Sequence, residues 1–221
     1  MAARNYGQYC GVAAALGLVG ERWALLIIRD LLVGPRRYSD LKQGLPRIPT
    51  NILSTRLKEL QASGIVRRLP LAHGLAYDLT DYGRGLDEVI LALGRWGFQA
   101  LGDPTAGDII TADSMTIALR TAFTADAAGR VPATVYEAHL GEVTLTLRVD
   151  DAGLAVTRGT AAAPDIAFAA GPEIRRVISG ELSPDASIAG GVVRVLRGDP
   201  ALLERFAQTF HLEPRPVATA G

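Results

Sequence analysis

Short polar side chains are concentrated between residues 50 and 58, where their types suit hydrogen bonding to nucleic-acid bases. They are Thr50, Asn51, Ser54 and Thr55, and they are accompanied by the cations Arg56 and Lys58. Hydroxyl and amide groups can bond base edges and phosphates without the bulk that would hold a helix out of a major groove about 12 Å wide. The two cations can add contacts to phosphates.

A helix from Pro49 to Ser63 is predicted to present these side chains. Leu53, Leu57 and Leu60 recur at positions i, i+4 and i+7, so they form one apolar stripe, and the polar residues fall largely on the other side. An ordinary amphipathic helix with a solvated outer face would show the same pattern. The flanking segments decide between the two interpretations.

A hairpin follows the helix. Gly64 is a plausible helix stop, and the runs Val66 to Leu71 and Leu75 to Leu79 flank a turn at Ala72 to Gly74. Its basic residues are Arg67, Arg68 and His73. His73 could touch a minor-groove phosphate at the hairpin tip, or it could be a solvated turn residue. Thr80 then suits the N-cap of a closing helix, so the order of elements predicts a winged helix.

Charge is distributed unevenly along the chain. Residues 22–68 hold ten Lys or Arg against three acids, although the formal net charge of the whole chain is zero. Residues 1–104 carry a balance of +4 and residues 105–221 a balance of −4. Arg36 and Arg37 precede the first helix of the pair, where they could contact a DNA backbone or be paired within the protein.

Motifs between about residues 9 and 101 resemble the HxlR family of bacterial transcription regulators, which are relatives of MarR proteins. The motifs are Tyr9 to Ala13, Gly20 to Leu32, Gly34 to Leu41, Ile52 to Leu60, Gly64 to Arg68 and Tyr77 to Gly83. One departure is Cys10-Gly11, where the family usually has Cys-Pro.

The HxlR resemblance implies a homodimer in which the first helix and the long closing helix pack against their two-fold mates. Two recognition helices would then enter successive major grooves, with half-sites about 34 Å apart. The apolar surface of residues 82–101 is compatible with such an interface. Alternatively, the acidic C-terminal half covers the closing helix.

Cys10 is the only cysteine, so an intrachain disulfide is excluded. Some proteins of the resembled family use a cysteine near this position as an oxidation sensor. The resemblance therefore makes Cys10 a candidate redox residue. The other interpretation is a small apolar residue without reactivity.

Beyond a breaker cluster at residues 102–107, the sequence predicts a separate α+β domain. Its predicted helices are Asp113 to Thr124, Pro172 to Ser179 and Pro200 to Phe210. Its predicted strands are Ala133 to His139, Val143 to Val149, Leu154 to Thr157, Asp165 to Ala169 and Val192 to Leu196.

Residues 112–212 are similar to the sterol carrier protein type of domain. The motifs that carry this resemblance are Asp165 to Ala169, Ile178 to Pro184, Ile188 to Gly190 and Val195 to Asp199. The resemblance implies a cavity for an apolar ligand, lined by Tyr136, Phe168, Ile178, Ile188, Val193, Phe206 and Phe210. Each of these residues could instead be ordinary core, and the domain could be a filled structural module that only assists dimerisation.

Other functional classes find little support in the sequence. No dinucleotide or phosphate-loop glycine pattern is present, and His73, His139 and His211 stand far apart with no Cys, Asp or Glu at metal-ligand spacing, so neither an enzyme nor a bound metal or cofactor is expected. The longest apolar run near the N-terminus, Val12 to Val19, is too short to span a bilayer. We expect a cytoplasmic protein.

Together these patterns predict an α+β chain of two domains. Residues 1–104 would form a winged helix-turn-helix domain for DNA binding and dimerisation, and residues 105–221 an α+β, sterol-carrier-like domain for a ligand. The predicted function is a homodimeric, ligand-responsive repressor of a palindromic operator in double-stranded DNA. The alternative is an apolar-ligand or lipid carrier whose helical half serves only dimerisation.

Overall fold

A computed structural model describes residues 6–105 and 107–213, and the chain forms two compact units that divide between Ile90 and Leu91. The first unit contains α1 (Gly11–Val19), α2 (Ala24–Val33), α3 (Tyr38–Gly44), α4 (Thr50–Ala62), β1 (Val66–Leu71), β2 (Gly74–Leu79) and α5 (Asp81–Arg84). The division falls inside α6 (Asp87–Phe98).

The second unit continues with helices and a sheet. It contains α7 (Ala112–Ala122), α8 (Ala125–Ala128), β3 (Thr134–Leu140), β4 (Val143–Asp150), β5 (Gly153–Arg158), β6 (Ile166–Ala170), a 3-10 turn (Pro172–Ile174), α9 (Arg175–Ile178), α10 (Pro184–Ala189), β7 (Val193–Gly198) and α11 (Leu202–Thr209).

The first unit is a winged helix, as the order of sequence elements predicts. Its core is formed by apolar residues of α2, α3 and α4, among which Ile27, Leu41 and Leu53 are fully buried. The hairpin β1–β2 begins where α4 ends, and Val66 pairs with Leu79 at its base. The backbone N–H and carbonyl of Arg36 also bond those of Tyr77, so an isolated β-bridge joins the segment before α3 to β2.

The closing helix differs from the prediction of one continuous element. Thr80 is its N-cap, as expected, and its Oγ1 accepts from the Gly83 N–H at 3.1 Å. The helix nevertheless ends at Arg84, and α6 begins at Asp87, so the segment is interrupted at Gly85 and Leu86. Phe98, near the end of α6, packs against the core of the second unit. The division between the two compact units therefore lies before residue 104, the domain boundary expected from the sequence.

The second unit is built on a five-stranded sheet in the order β5-β4-β3-β6-β7. The strands β3, β4 and β5 form an antiparallel meander, β6 runs parallel to β3, and β7 is antiparallel to β6. The predicted strands and the three longer helical segments are confirmed. The sequence did not predict α8 and α10, which have only four and six residues, because so short a helix shows no apolar period.

One face of this sheet forms the core of the second unit. Tyr136, Ala138 and Leu140 alternate along β3 with more polar residues, and they join a buried cluster to which α7, α9 and α11 also contribute. The opposite face carries small and polar side chains, among them Glu137 and His139. The core therefore lies on one side of the sheet only.

Among the described residues, no single helix has the length and apolar composition needed to cross a membrane. Only α1 and α2 taken together meet that test of length and composition, and they are bent by 82° at the break between them.

Gly198 ends β7 in a backbone conformation that requires glycine. Its φ is +92°, and an added Cβ would lie 2.1 Å from the Asp165 carbonyl oxygen. We expect Gly198→Ala to lower the free energy of unfolding by more than about 2 kcal/mol, because left-handed strain of about 1–2 kcal/mol is added to a backbone clash. Equilibrium urea denaturation followed by circular dichroism measures this loss.

Gly153→Ala is the matched control for this substitution. Gly153 has φ +113° but no atom within 4 Å of an added Cβ, so only the conformational cost should appear. Equal losses for the two variants would contradict the predicted clash at Asp165.

Candidate nucleic-acid interface

The turn between α3 and α4 is fixed by side chains of α3. Lys42 Nζ donates to the carbonyl oxygens of Pro46 at 2.8 Å and Ile48 at 2.9 Å, which holds the connecting loop against the end of α3. At the other end of α3, Tyr38 Oη donates to the Thr50 carbonyl oxygen at 2.9 Å. These bonds set the position of α4 relative to α3.

The buried stripe of α4 determines which of its side chains remain outside. Leu53, Leu57 and Leu60 are at most 1% exposed. The exposed residues of the first three turns include Thr50, Asn51 and Lys58. Within the described part of the chain, the side chains of these three make no hydrogen bond or ion pair, so they are available to a ligand in solution.

Ser54 and Thr55 are half-buried and use their hydroxyl protons within the protein. Ser54 Oγ donates to Tyr38 Oη at 3.3 Å, and Thr55 Oγ1 donates to the Asn51 carbonyl oxygen at 2.9 Å. Each hydroxyl oxygen can still accept a hydrogen bond. In this arrangement both residues are better suited to accept from a base amino group or a bound water than to donate.

Arg56 lies on the same helix but is held by carboxylates. Its guanidinium forms ion pairs with Glu21 at 3.0 Å and with Glu59, and its side chain is only 15% exposed. A guanidinium already paired with two carboxylates has little charge left to offer a phosphate. The position of Arg56 therefore suits a structural role that joins α4 to the segment before α2.

The two arginines of the hairpin also differ in whether their side chains are paired within the protein. Arg67 faces Asp78 across the β1–β2 ladder and pairs with it at 2.8 Å, and Arg84 binds the other oxygen of the same buried carboxylate at 2.7 Å. Arg68 is exposed and has no partner among the residues that the structure describes. Of the two, Arg68 is the available cation.

The residues that lead into α3 support the tip of the hairpin. Arg37 Nη1 donates to the His73 carbonyl oxygen at 2.6 Å, and the Arg37 N–H donates to Asp40 Oδ2 at the start of α3. Arg36 is half-buried, and its Nη1 donates to the Pro35 carbonyl oxygen. The imidazole of His73 itself is exposed at the tip.

The structure thus places the eleven predicted DNA-contacting residues on α4, the hairpin and the segment before α3, with different availability. Those with exposed side chains and no partner in the described residues are Thr50, Asn51, Lys58, Arg68 and His73. Those engaged within the protein are Arg36, Arg37, Ser54, Thr55, Arg56 and Arg67. Sequence reasoning missed the supporting residues Tyr38, Lys42 and Asp78. For Tyr38 and Lys42, the one available signal was their position on the helix before α4. The sequence held no comparable signal for Asp78.

The seven residues predicted to line a ligand cavity lie together in the second unit. Tyr136, Phe168, Phe206 and Phe210 are at most 1% exposed, and their neighbouring ring centroids lie 4.7–6.2 Å apart. Ile178, Ile188 and Val193 belong to the same apolar cluster. Burial raises the pKa of the Tyr136 phenol, against the opposing effect of the Thr134 and Thr209 hydroxyls. A ligand role for the cluster stays a prediction.

Cys10 is exposed immediately before α1. The backbone N–H groups of Ala13 and Val12 at the start of that helix lower the pKa of its thiol. A redox role also stays a prediction. Within residues 6–105 and 107–213, no three His, Cys, Asp or Glu side chains are grouped as metal ligands.

Comparison with known proteins identifies the family of the N-terminal part of the chain. The family model of the HxlR-like helix-turn-helix matches residues 18–104. The uncharacterised HTH-type transcriptional regulator YvaP of Bacillus subtilis is 33% identical over 94 residues, which are 41% of this chain and 86% of YvaP. An uncharacterised HTH-type transcriptional regulator of Mycobacterium tuberculosis is 42% identical over 96 residues, or 42% of this chain.

Coverage of these proteins is partial. The chain spans 60% of the length of the mycobacterial regulator. A crystal structure of quinone-bound YodB from B. subtilis is 35% identical, with 40% of this chain and 96% of that chain covered and a TM-score of 0.36. From the family model and the match to YvaP, the chain belongs to the HxlR-like helix-turn-helix family.

Proposed function

We propose that this protein is a sequence-specific transcriptional repressor that binds a palindromic operator as a homodimer in the cytoplasm. The observation that carries the proposal is that Thr50, Asn51 and Lys58 of α4 and Arg68 of the hairpin are exposed and have no partner among the described residues, in a chain of the HxlR-like family. Residues 1–104 would bind DNA and dimerise, and residues 105–221 would bind an apolar effector. In this division α4 is the recognition helix.

Asn51 and Lys58 would have different tasks on the recognition helix. An amide can form two hydrogen bonds with an adenine edge and so distinguish bases, whereas an ammonium contacts phosphates that are the same at every site. Both side chains are exposed and without partners in the described residues. Arg56 lies between them in sequence, but Glu21 and Glu59 neutralise it.

Apolar surface on α1 and α6 supports a homodimer. Val12 and Leu16 of α1 are 69% and 46% exposed, and Val89, Leu93 and Trp96 of α6 are 44–71% exposed. Large apolar side chains at helical spacing on a protein surface mark an interaction face. We assign these two faces to the two-fold interface, as the HxlR resemblance implies, and the two recognition helices would then enter successive major grooves.

The apolar cluster of the second unit supports an effector site. It places four aromatic rings and three aliphatic side chains between the sheet and the helices, where an apolar molecule would be shielded from water. These rings contact one another, so a ligand would enter by separating α11 from the sheet. A sterol-carrier-like role for this unit, which the resemblance of residues 112–212 implies, is part of the proposal.

Substitutions on α4 test DNA recognition. Asn51→Ala should reduce the preference for the selected operator over scrambled DNA by roughly 1–3 kcal/mol, because a base contact is lost. Lys58→Ala should weaken binding to both DNAs alike and reduce the slope of log K against log salt by about 1. Fluorescence anisotropy over a salt series, with an operator selected from random duplexes, measures both effects.

Arg56→Ala is the control for the charge effect. Because Arg56 is paired internally, its loss should lower thermal stability without changing the salt slope. If Asn51→Ala and Lys58→Ala both bound like the unaltered protein, α4 would not be the recognition helix. A salt slope reduced by Arg56→Ala and not by Lys58→Ala would reverse the assignment of the phosphate contact.

Val89→Glu tests the dimer. A carboxylate placed in an apolar interface loses its hydration, so the dimer should dissociate at least about tenfold more readily. Sedimentation velocity should then show the 23.4 kDa monomer at concentrations where the unaltered protein is dimeric. Ile109→Glu, at another exposed apolar residue, is the control and should leave the dimer intact. An unchanged dimer in Val89→Glu would place the interface elsewhere.

Native mass spectrometry of freshly purified protein tests the effector site. We expect a dimer that carries one defined apolar adduct per subunit, and an organic extract of the same sample should identify its mass. Phe206 lies at the centre of the ring cluster, so Phe206→Leu should reduce adduct occupancy while the fold is retained. A dimer free of adduct, also after incubation with palmitate, would argue that the cluster is only a structural core.

A further inference from the structure

A groove of about 520 Å³ lies at one end of the sheet of the second unit. Its lining residues are His139, Gly141, Ala169, Ala170, Gly171, Gly191, Val192, Arg194 and Leu196. They come from the ends of β3 and β6 and the beginning of β7, so three neighbouring strands form it. None of the residues proposed for the effector site lines this groove.

Strand register explains the shape of the groove. His139 pairs with Ala169, and Ala169 pairs with Arg194, so these three side chains form one row and point to the same face. Two strand spacings, about 9.6 Å, separate the backbones of His139 and Arg194. Because the middle residue is only alanine, the row has a histidine wall, an arginine wall and a shallow apolar floor.

The two walls differ in whether their nitrogen atoms already have partners. His139 Nε2 lies 2.8 Å from Glu137 Oε1, and its Nδ1 lies 3.2 Å from Thr144 Oγ1, so both ring nitrogens already have partners. Arg194 is exposed, and its guanidinium has no hydrogen-bond or ion-pair partner among the residues that the structure describes. The unsatisfied donors of the groove are therefore those of Arg194.

Acidic groups near the groove limit what it can bind. Glu137 also accepts from the Ala161 N–H at 2.8 Å, and although desolvation opposes it, bonding to His139 and Ala161 lowers its pKa, so it is ionised. The Glu173 carboxylate lies beside Gly171 at the rim. These negative charges would repel a dianion more strongly than a monoanion.

We propose that this groove binds a small organic carboxylate. The Arg194 guanidinium forms a bidentate pair with the carboxylate, which matches its planar geometry. The apolar body of the ligand rests on Ala169 and against Val192 and Leu196. This site is separate from the proposed effector cavity, and the proposal does not depend on DNA binding.

Benzoate is the probe, and benzamide is its neutral counterpart of the same shape. Titration of the full-length, isotopically labelled protein should give saturable shifts of the amide resonances of Gly141, Gly171 and Gly191 with benzoate, and much weaker ones with benzamide. Arg194→Gln should weaken benzoate binding by about tenfold or more, since a charge-assisted pair is lost. The Arg194 side chain is exposed, so the fold should be retained.

Arg197→Gln is the matched control on the same strand. Arg197 lies in the neighbouring row beside Ala167, where its charge acts on Glu137, and its loss should change benzoate affinity by less than about threefold. Equal binding of benzoate and benzamide, equal affinities of the two variants, or no saturable shifts with benzoate would each overturn the proposal. Tighter binding of phenyl phosphate than of benzoate would overturn the choice of a carboxylate.

Discussion

Burial of three leucines on one side of α4 is the constraint on which the DNA-binding surface depends. Leu53, Leu57 and Leu60 together are worth several kcal/mol of apolar burial, on the order of 2 kcal/mol for each side chain. A rotation of the helix about its axis would bring part of this stripe into water. The orientation of Asn51 and Lys58 toward solvent therefore follows from packing on the opposite side of the same helix.

Ion pairs determine how much of the local positive charge is available to DNA. The segment 22–68 is rich in arginine, but Glu21 and Glu59 hold Arg56, and Asp78 holds Arg67. The buried carboxylate of Asp78 also binds Arg84, so the base of the hairpin is fixed to the helix that follows it. Counting basic residues in the sequence thus overstates the number of cations that can displace counterions from a duplex.

The sequence predicted most of the fold, because leucine spacing, capping residues and alternation along strands are local signals. The ion pairs between charged side chains were harder to predict from the sequence. Glu59 lies three residues from Arg56, but the contact of Arg56 with Glu21 depends on tertiary structure, and that of Arg67 with Asp78 depends on the hairpin register. The groove at Arg194 could not be predicted at all, because it requires β6 to lie between β3 and β7. The apolar residues in the core of the second unit were identified by residue type. Residue type does not show whether that core can open to admit a ligand.

The edges of the five-stranded sheet have a consequence for the behaviour of the protein at high concentration. An edge strand offers unpaired main-chain amides and carbonyls on which another chain can add a strand and begin aggregation. On one edge, β7 carries Arg194 and Arg197 and is out of regular register with β6 near Phe168. On the other edge, Arg158 of β5 is bonded to Asp113 of α7. Bulky cations at both edges, together with the irregular ladder at β7, make these edges poor templates for intermolecular strand addition.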